Sequence, residues 1–196
     1  MQTKKEDIKE TILSCARDEF LKRGFDGSSL RMIAKKANTS LGNIYHYFPN
    51  KRAILDELLN PVIVQIDALV KEHVAYETEI VDFEEINTFL DQADYDTPQL
   101  KALFSKEFVI FIETKEEDIV KHREELMVMF RKHIAWHMKF DNPNNHFVVI
   151  VTNMIIDCIK HLSNCSECIH DKKKDTVDMF KILCRSVAGI DEATKK

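Results

Sequence analysis

The sequence predicts an all-α protein that consists of a three-helix head and a larger helical body. Apolar residues recur at intervals of three and four along nearly the whole chain, beginning with Ile8, Ile12, Ala16 and Phe20, and this spacing places them on one face of a helix. Glycine is scarce, at 4 of 196 residues, whereas a sheet with many tight turns needs more of it. Both observations favour helices over strands.

The composition is typical of a folded protein of the cytoplasm. Hydrophobic residues make up 44% and charged residues 31% of the chain, which excludes the composition of a disordered protein. The charged N-terminus does not resemble a signal peptide, and the longest apolar runs, 108–112 and 147–151, fall far short of the ~18 residues that cross a bilayer. The five scattered cysteines fit reduced thiols. We therefore expect a cytoplasmic protein without a membrane-spanning segment.

Charge is distributed unevenly along the chain. Residues 1–52 carry 11 Lys and Arg against 6 Asp and Glu, a net charge of +5, whereas residues 53–196 carry 17 against 27, a net charge of −10. A small basic segment on an acidic body indicates a local anion-binding surface, and nucleic acid is a common anion of that size. A solvated basic face is the other interpretation of the same pattern.

Three helices are predicted in the first fifty residues. The first begins near residue 5 and ends at Gly24, which suits a helix C-terminus. Ser28 or Ser29 is placed to N-cap a second helix, and Ser40 to N-cap a third that ends before Pro49. Two short helices joined by a tight turn and buttressed by a longer one predict a helix-turn-helix, whose second helix enters the DNA major groove.

One face of the third predicted helix carries groups that suit DNA. With Ile44 at the centre of the buried face, beside Leu41 and Phe48, a rotation of ~100° per residue points Gly42, Asn43 and His46 outward, with Tyr45 at their edge. Asn43 can read adenine, and Gly42 lets the helix backbone approach the duplex. The groups that suit phosphate are the side chains of Tyr45, His46 and Lys51 and the helix N-termini at Ser28, Ser29 and Ser40.

Residues 8–59 resemble the DNA-binding domain of the TetR family of bacterial regulators. The resemblance is carried by GFDGSSLRMIA at 24–34, by SLGNIYHYF at 40–48 and by Lys51. It implies a homodimer that binds a near-palindromic operator, usually as a repressor released by a small molecule. By motif position it implies phosphate contacts for Ser29, Tyr45, His46 and Lys51, and base contacts around Leu41, Gly42 and Asn43.

Two residues of the turn depart from the family pattern. Asn38 stands where the family favours glycine, and Thr39 where it favours an apolar residue. Asparagine tolerates a left-handed backbone better than other non-glycine residues, so we expect the turn to be kept. Thr39 makes the packing of the turn less apolar.

The body is predicted to be a series of longer helices. A helix begins at Lys51 and continues through Val70, with a kink or break at Pro61, which is either a hinge between head and body or a harmless kink. The further predicted helices cover about 83–90, 98–114, 116–140, 146–162 and 175–188. We divide the chain into a helix-turn-helix domain, 1–50, and a helical effector-binding and dimerisation domain, 51–196.

Aromatic residues and methionines are dense between residues 98 and 140. Plain core is one interpretation. The family resemblance implies the other, an apolar cavity for a small, largely apolar effector within the middle helices. The candidate pocket residues are Phe104, Phe108, Phe111, Met127, Phe130 and Trp136. Helix 146–162 is apolar on nearly every side, so we expect the last two helices to pair with those of a second copy as a four-helix bundle.

A cluster near the C-terminus offers an alternative function. Cys165 and Cys168 have zinc-ligand spacing, and Cys158, His161 and His170 lie close in sequence. A metal- or redox-responsive sensor is therefore the alternative, against plain core burial of Cys158. The sequence has no nucleophile elbow, P-loop or dinucleotide fingerprint, so we expect neither an enzyme nor a bound cofactor.

Overall fold

The computed structural model describes residues 2–75, 96–137 and 140–164, together with 174–175, 178–179 and 181–182. The regular elements of these residues are α-helices, as predicted. In chain order they are α1 (Gln2–Gly27), α2 (Leu30–Lys36), α3 (Leu41–Tyr47), α4 (Lys51–Ala75), α5 (Pro98–Leu103), α6 (Lys106–Glu113), α7 (Glu117–His137) and α8 (His146–Asn164). Helices α1–α3 form the head, α5–α8 lie in the body, and α4 contacts both.

Helix α1 is broken at Gly24, the residue at which the sequence predicts its end. The backbone of Gly24 has φ +73° and ψ 167°, a conformation open almost only to glycine. Before the break, α1 buries Ile12, Ala16 and Phe20, and Ile8 packs partly buried against the same core. The predicted apolar stripe is therefore the face on which the head is built.

Replacing Gly24 with alanine is expected to lower the free energy of unfolding by about 1–3 kcal/mol, because a Cβ makes this backbone conformation strained. The added Cβ meets no atom within 4 Å, so backbone strain alone is tested. Urea unfolding of the full chain measures the change. Gly27→Ala is the control, since its Cβ meets only Arg23 Cβ at 3.4 Å; an equal loss in both variants would contradict the expectation.

Helices α2 and α3 share one core with α1. Ile33 and Ala34 of α2 are buried, as are Ile44 of α3 and Phe48, which follows it. All four belong to the hydrophobic cluster that contains the α1 stripe. The three helices therefore form the predicted helix-turn-helix head, with a single buried face on each short helix.

Helix α4 continues through Pro61, so the helix does not break at this residue, and a kink there remains a prediction. Pro61 is exposed, whereas Leu58, Leu59 and Val62 around it are buried. Proline removes one backbone hydrogen bond, and burial of the apolar face of this long helix outweighs that loss.

The predicted helix 98–114 is two helices, α5 and α6. Pro98 is the first residue of α5, and Thr97 caps it. The first helix ends at Leu103 with Phe104 as its C-cap. Ser105 then N-caps α6 by accepting a hydrogen bond from the Phe108 N–H at 3.1 Å. The Ser105 hydroxyl also donates to Ala102 O at 2.6 Å. Both bonds favour a cap over continued helix, because a serine side chain competes for the backbone groups that a helix would use.

Helices α7 and α8 agree with the predicted helices 116–140 and 146–162 to within a few residues. Among the described residues α8 alone is long and apolar enough by composition to cross a membrane. It packs against α6 and α7 and buries Val148, Thr152, Ile155 and Ile159. The described parts of 174–182 are helical; the predicted helix 83–90 and the rest of 175–188 lie outside the described residues.

Candidate nucleic-acid interface

Helix α3 buries one side and exposes the other. Ile44 has no exposed surface and Phe48 is 3% exposed, whereas Tyr45 is 53% exposed. Gly42 and His46 are exposed, and Asn43 is half-buried at the edge of the exposed side. Leu41, predicted on the inner side, is only half-buried and is not part of the buried core. The predicted outward side of this helix is therefore accessible to a macromolecule.

Serine side chains begin both short helices. The Ser29 hydroxyl accepts a hydrogen bond from the Met32 N–H at 3.3 Å, and the Ser40 hydroxyl accepts one from the Asn43 N–H at 3.1 Å. Of the two serines that the sequence left open as the cap of α2, Ser29 is the cap. Ser29 is half-buried and Ser40 exposed, so both helix N-termini lie near the surface, where free N–H groups attract phosphate.

Ser28 lies inside the head. It is 6% exposed, and its hydroxyl donates to Phe25 O at 2.7 Å. The structure therefore does not support the expectation that Ser28 contacts DNA. The bond to Phe25 instead stabilises the connection between α1 and α2.

The turn between α2 and α3 has the left-handed residue that the sequence predicts. Asn38 has φ +49°. Its N–H donates to Lys35 O at 3.3 Å, and the N–H of Thr39 donates to Ala34 O at 2.9 Å. These two bonds define a Schellman motif, which satisfies the last carbonyl groups of α2. The substitution of asparagine for glycine is thus accommodated.

Lys51, predicted to contact phosphate, also holds the head together. Its Nζ donates to Phe25 O at 2.5 Å and to Ser28 O at 2.9 Å, and lies 4.2 Å from the centroid of the Phe25 ring. The side chain is half-buried. These contacts are long-range in sequence, and no local pattern reveals them. A phosphate contact for Lys51 remains a prediction.

Replacing Lys51 with methionine is expected to lower the free energy of unfolding by about 1–3 kcal/mol, because two charge-assisted hydrogen bonds and a cation–π contact are lost. Urea unfolding measures it. Lys22→Met removes the same charge from an exposed residue that makes no ion pair among the described residues. If the two variants lost the same stability, the contacts of Lys51 would contribute nothing.

A family comparison agrees with the geometry of the head. Residues 12–58, which include α2, α3 and the turn between them, match the family model described as bacterial regulatory proteins, tetR family. The head is therefore similar to the DNA-binding region of TetR-family proteins. The matched region contains every candidate DNA contact, from Ser28 to Lys51, that the sequence analysis names.

Curated relatives match through the same region. The HTH-type transcriptional regulator UidR of Escherichia coli (strain K12) is 34% identical over 59 residues, which are 30% of this chain and 30% of that protein. The HTH-type transcriptional regulator RutR of the same strain is 30% identical over 104 residues, 52% of this chain and 48% of that protein. The chain thus spans less than half the length of these curated relatives.

Solved structures of transcriptional regulators share the fold over most of the chain. The ketosteroid transcriptional regulator KstR2 of Mycobacterium tuberculosis aligns with a TM-score of 0.61 and 17% identity, covering 91% of this chain and 93% of that one. A TetR-family transcriptional regulator from Bordetella parapertussis 12822 aligns with a TM-score of 0.56 and 18% identity, covering 89% and 94%. The likeness extends the TetR-family fold from the head to the body.

In this TetR-family fold, ion pairs connect the head and α4 to the body. Arg17 of α1 donates to Glu107 of α6 at 2.7 Å. Arg52, in the first turn of α4, donates to Glu116 at 3.1 Å and to both carboxylate oxygens of Asp118 at 2.9 and 2.6 Å. The Arg52 guanidinium lowers the pKa of Asp118 to about 2, so this contact is fully charged at neutral pH.

The candidate pocket residues occupy different environments. Phe108 and Phe111 of α6 are 2% and 1% exposed and belong to the hydrophobic core. The other four candidates are half-buried: Phe104, Met127, Phe130 and Trp136. Two open surface depressions, of about 340 and 370 Å³, are lined by other residues: the first mainly by α8, the second by α1, α4 and α6. An effector site formed by Phe104, Phe108, Phe111, Met127, Phe130 and Trp136 therefore remains a prediction.

Two of the five residues in the predicted cysteine and histidine cluster lie among the described residues. Cys158 and His161 line the first depression together with Asp157 and Asp175, and Cys158 carries a free thiol. Cys165, Cys168 and His170 lie outside the described residues. Within the described part of the chain, no three Cys, His, Asp or Glu side chains are arranged to hold a metal ion. The comparisons with known proteins, rather than this part of the chain, do not favour the alternative of a metal- or redox-responsive sensor.

Proposed function

We propose that this protein is a transcriptional regulator that binds a near-palindromic DNA operator as a homodimer, represses transcription and is released by a small, largely apolar effector. The observation that carries the proposal is the outward side of α3, which presents polar groups from a TetR-family helix-turn-helix. The cytoplasm is the compartment in which such a protein meets DNA.

Operator binding is supported by the chemistry of the head. The exposed side of α3 offers Gly42, Tyr45 and His46 to a duplex, with Asn43 at its edge. The Asn43 amide suits the edge of adenine, while hydroxyl and imidazole groups suit phosphate. Residues 1–52 have a net charge of +5, so approach to DNA is electrostatically favourable and depends on ionic strength.

Homodimer formation is supported by one exposed apolar stripe on α8. Phe147, Ile150 and Met154 are 55%, 53% and 49% exposed, and their spacing aligns them along one side of the helix. Their burial against the same stripe of a second copy removes apolar surface from water, and a twofold pairing presents two heads to a palindromic site.

Release by an effector is supported by the contacts that connect α4 to both parts of the fold. Helix α4 packs on α1 and also on α5, α6 and α7, and Arg52 attaches its first turn to the start of α7. A molecule that binds the body better in one arrangement of these helices shifts the spacing of the two heads. Half-sites one helical turn apart, about 34–36 Å, no longer match the shifted spacing.

Binding-site selection tests this function. The full chain is incubated with random-sequence duplexes at low ionic strength, and bound duplexes are amplified and sequenced. We expect a near-palindromic consensus whose affinity falls steeply with salt, and lower transcription from a reporter promoter that carries it when the protein is present. Apolar small molecules are then screened for release of the duplex. Absence of any enriched sequence at low ionic strength would contradict the proposal.

A further inference from the structure

A side-chain hydrogen bond connects α3 to the turn that precedes it. Nδ2 of Asn43 donates to Oγ1 of Thr39 at 2.7 Å. Both residues are half-buried, and within the described part of the chain Oδ1 of Asn43 accepts no hydrogen bond. One end of the amide is therefore held by the protein, and the other is available to a ligand.

The turn fixes the position of the Thr39 hydroxyl. The N–H of Thr39 donates to Ala34 O at 2.9 Å as part of the Schellman motif at the end of α2. The next residue, Ser40, caps α3 through the N–H of Asn43 at 3.1 Å. Asn43 is thus held twice, at its backbone by Ser40 and at its side chain by Thr39.

Position 39 carries threonine at a place in the turn where an apolar residue is common. In a Schellman motif the corresponding position commonly carries an apolar side chain that packs on the last turn of the helix. Threonine replaces part of that apolar contact with a hydroxyl, and the hydroxyl accepts the Asn43 amide. The geometry of the turn alone does not require this hydroxyl.

We propose that Thr39 is a positioning residue for base recognition, which orients the Asn43 amide before DNA binds. This inference rests on the proposed operator binding. A side chain already held in its binding orientation loses less conformational entropy on association, so the preferred base is bound more tightly relative to the others.

The orientation also predicts which bases are preferred. With Nδ2 held by Thr39, Asn43 offers the acceptor Oδ1 to the groove. In the major groove, amino donors are presented by adenine N6 and cytosine N4, and adenine adds N7 for the second Nδ2 hydrogen. Because only adenine satisfies both groups of the amide, we expect an A·T base pair at the operator position that depends on Asn43.

Binding-site selection with matched variants tests the inference. The wild-type chain, Thr39→Val, Thr39→Ser and Asn43→Ala are each selected against the same pool of random duplexes. We expect Thr39→Val to lower discrimination about fivefold, the value of one hydrogen bond, at the position that Asn43→Ala identifies, with an unchanged salt dependence. Thr39→Ser restores the hydroxyl and is expected to keep the preference. The unfolding temperature of Thr39→Val is expected not to fall, because an apolar residue suits this position.

The outcomes separate this inference from the proposed function. If the wild-type chain enriches no sequence, operator binding itself fails. If the wild-type chain selects a site and Thr39→Val keeps its full preference, the role of Thr39 is overturned. It is also overturned if a G·C base pair occupies the Asn43-dependent position, or if Thr11→Val has the same effect. Thr11 is the control because its hydroxyl donates only to Asp7 O within α1, at 2.7 Å.

Discussion

Replacing Gly42 with glutamate is expected to reduce operator affinity at least a hundredfold while leaving the fold intact. Gly42 lies on the exposed side of α3, and a Cβ added there meets only Ser40 Oγ, at 3.9 Å. The head therefore accepts a side chain at this position. In the proposed complex, however, a carboxylate at this position faces the phosphates and blocks close approach of the helix backbone to the base pairs.

Fluorescence anisotropy with the selected duplex measures the loss of affinity, and urea unfolding shows that the variant remains folded. Asn60→Glu is the matched control, because it adds the same charge to an exposed residue of α4. We expect the control to bind within a fewfold of the wild-type affinity. Equal losses in the two variants would assign the effect to net charge and contradict a specific role for α3.

Replacing Ile150 with aspartate is expected to convert the dimer into a monomer and thereby to remove tight operator binding. Ile150 is 53% exposed in the single chain, so the substitution does not disturb the core of the protomer. In the proposed dimer each copy contributes one carboxylate to an apolar interface, and a buried charge without a partner costs about 3–5 kcal/mol. A monomer contacts one half-site only and loses the contribution of the second.

Analytical ultracentrifugation at micromolar concentration measures the change in mass, and anisotropy measures the change in DNA affinity. Val64→Asp provides the control, because Val64 is 61% exposed and lies on α4 rather than on α8. We expect this control to remain dimeric. A wild-type chain that sediments as a stable monomer would contradict the proposed assembly.

Local patterns in the sequence predict the head well. The burial of Ile44 and Phe48 follows from the helical period, because the short helix has only one face against its neighbours. The cap at Ser40 and the end of the first helix at Gly24 also depend on residues a few positions apart. The left-handed Asn38 follows from the conformational preference of asparagine.

Contacts between distant residues explain what the sequence does not predict. Lys51 reaches the carbonyl groups of Phe25 and Ser28, and Arg52 reaches Asp118; no periodicity links residues so far apart. Ser28 and Ser29 are equivalent as cap candidates in sequence, and only the path of the chain after Gly24 places Ser28 inside. The start of α6 has a local signal in the sequence, because Ser105 stands three residues before Phe108, whose N–H it caps. The regular spacing of apolar residues along 98–114 conceals this signal.

Photo-crosslinking from α3 shows whether this helix lies against the DNA. Tyr45 on the exposed side of α3, or in a second preparation Val128 on α7, is replaced with benzoylphenylalanine; the two side chains are 53% and 41% exposed. Each protein is irradiated with the selected duplex at low ionic strength. We expect covalent protein–DNA product from position 45 and none from position 128. Equal product from both positions, or product from position 128 alone, would contradict this expectation.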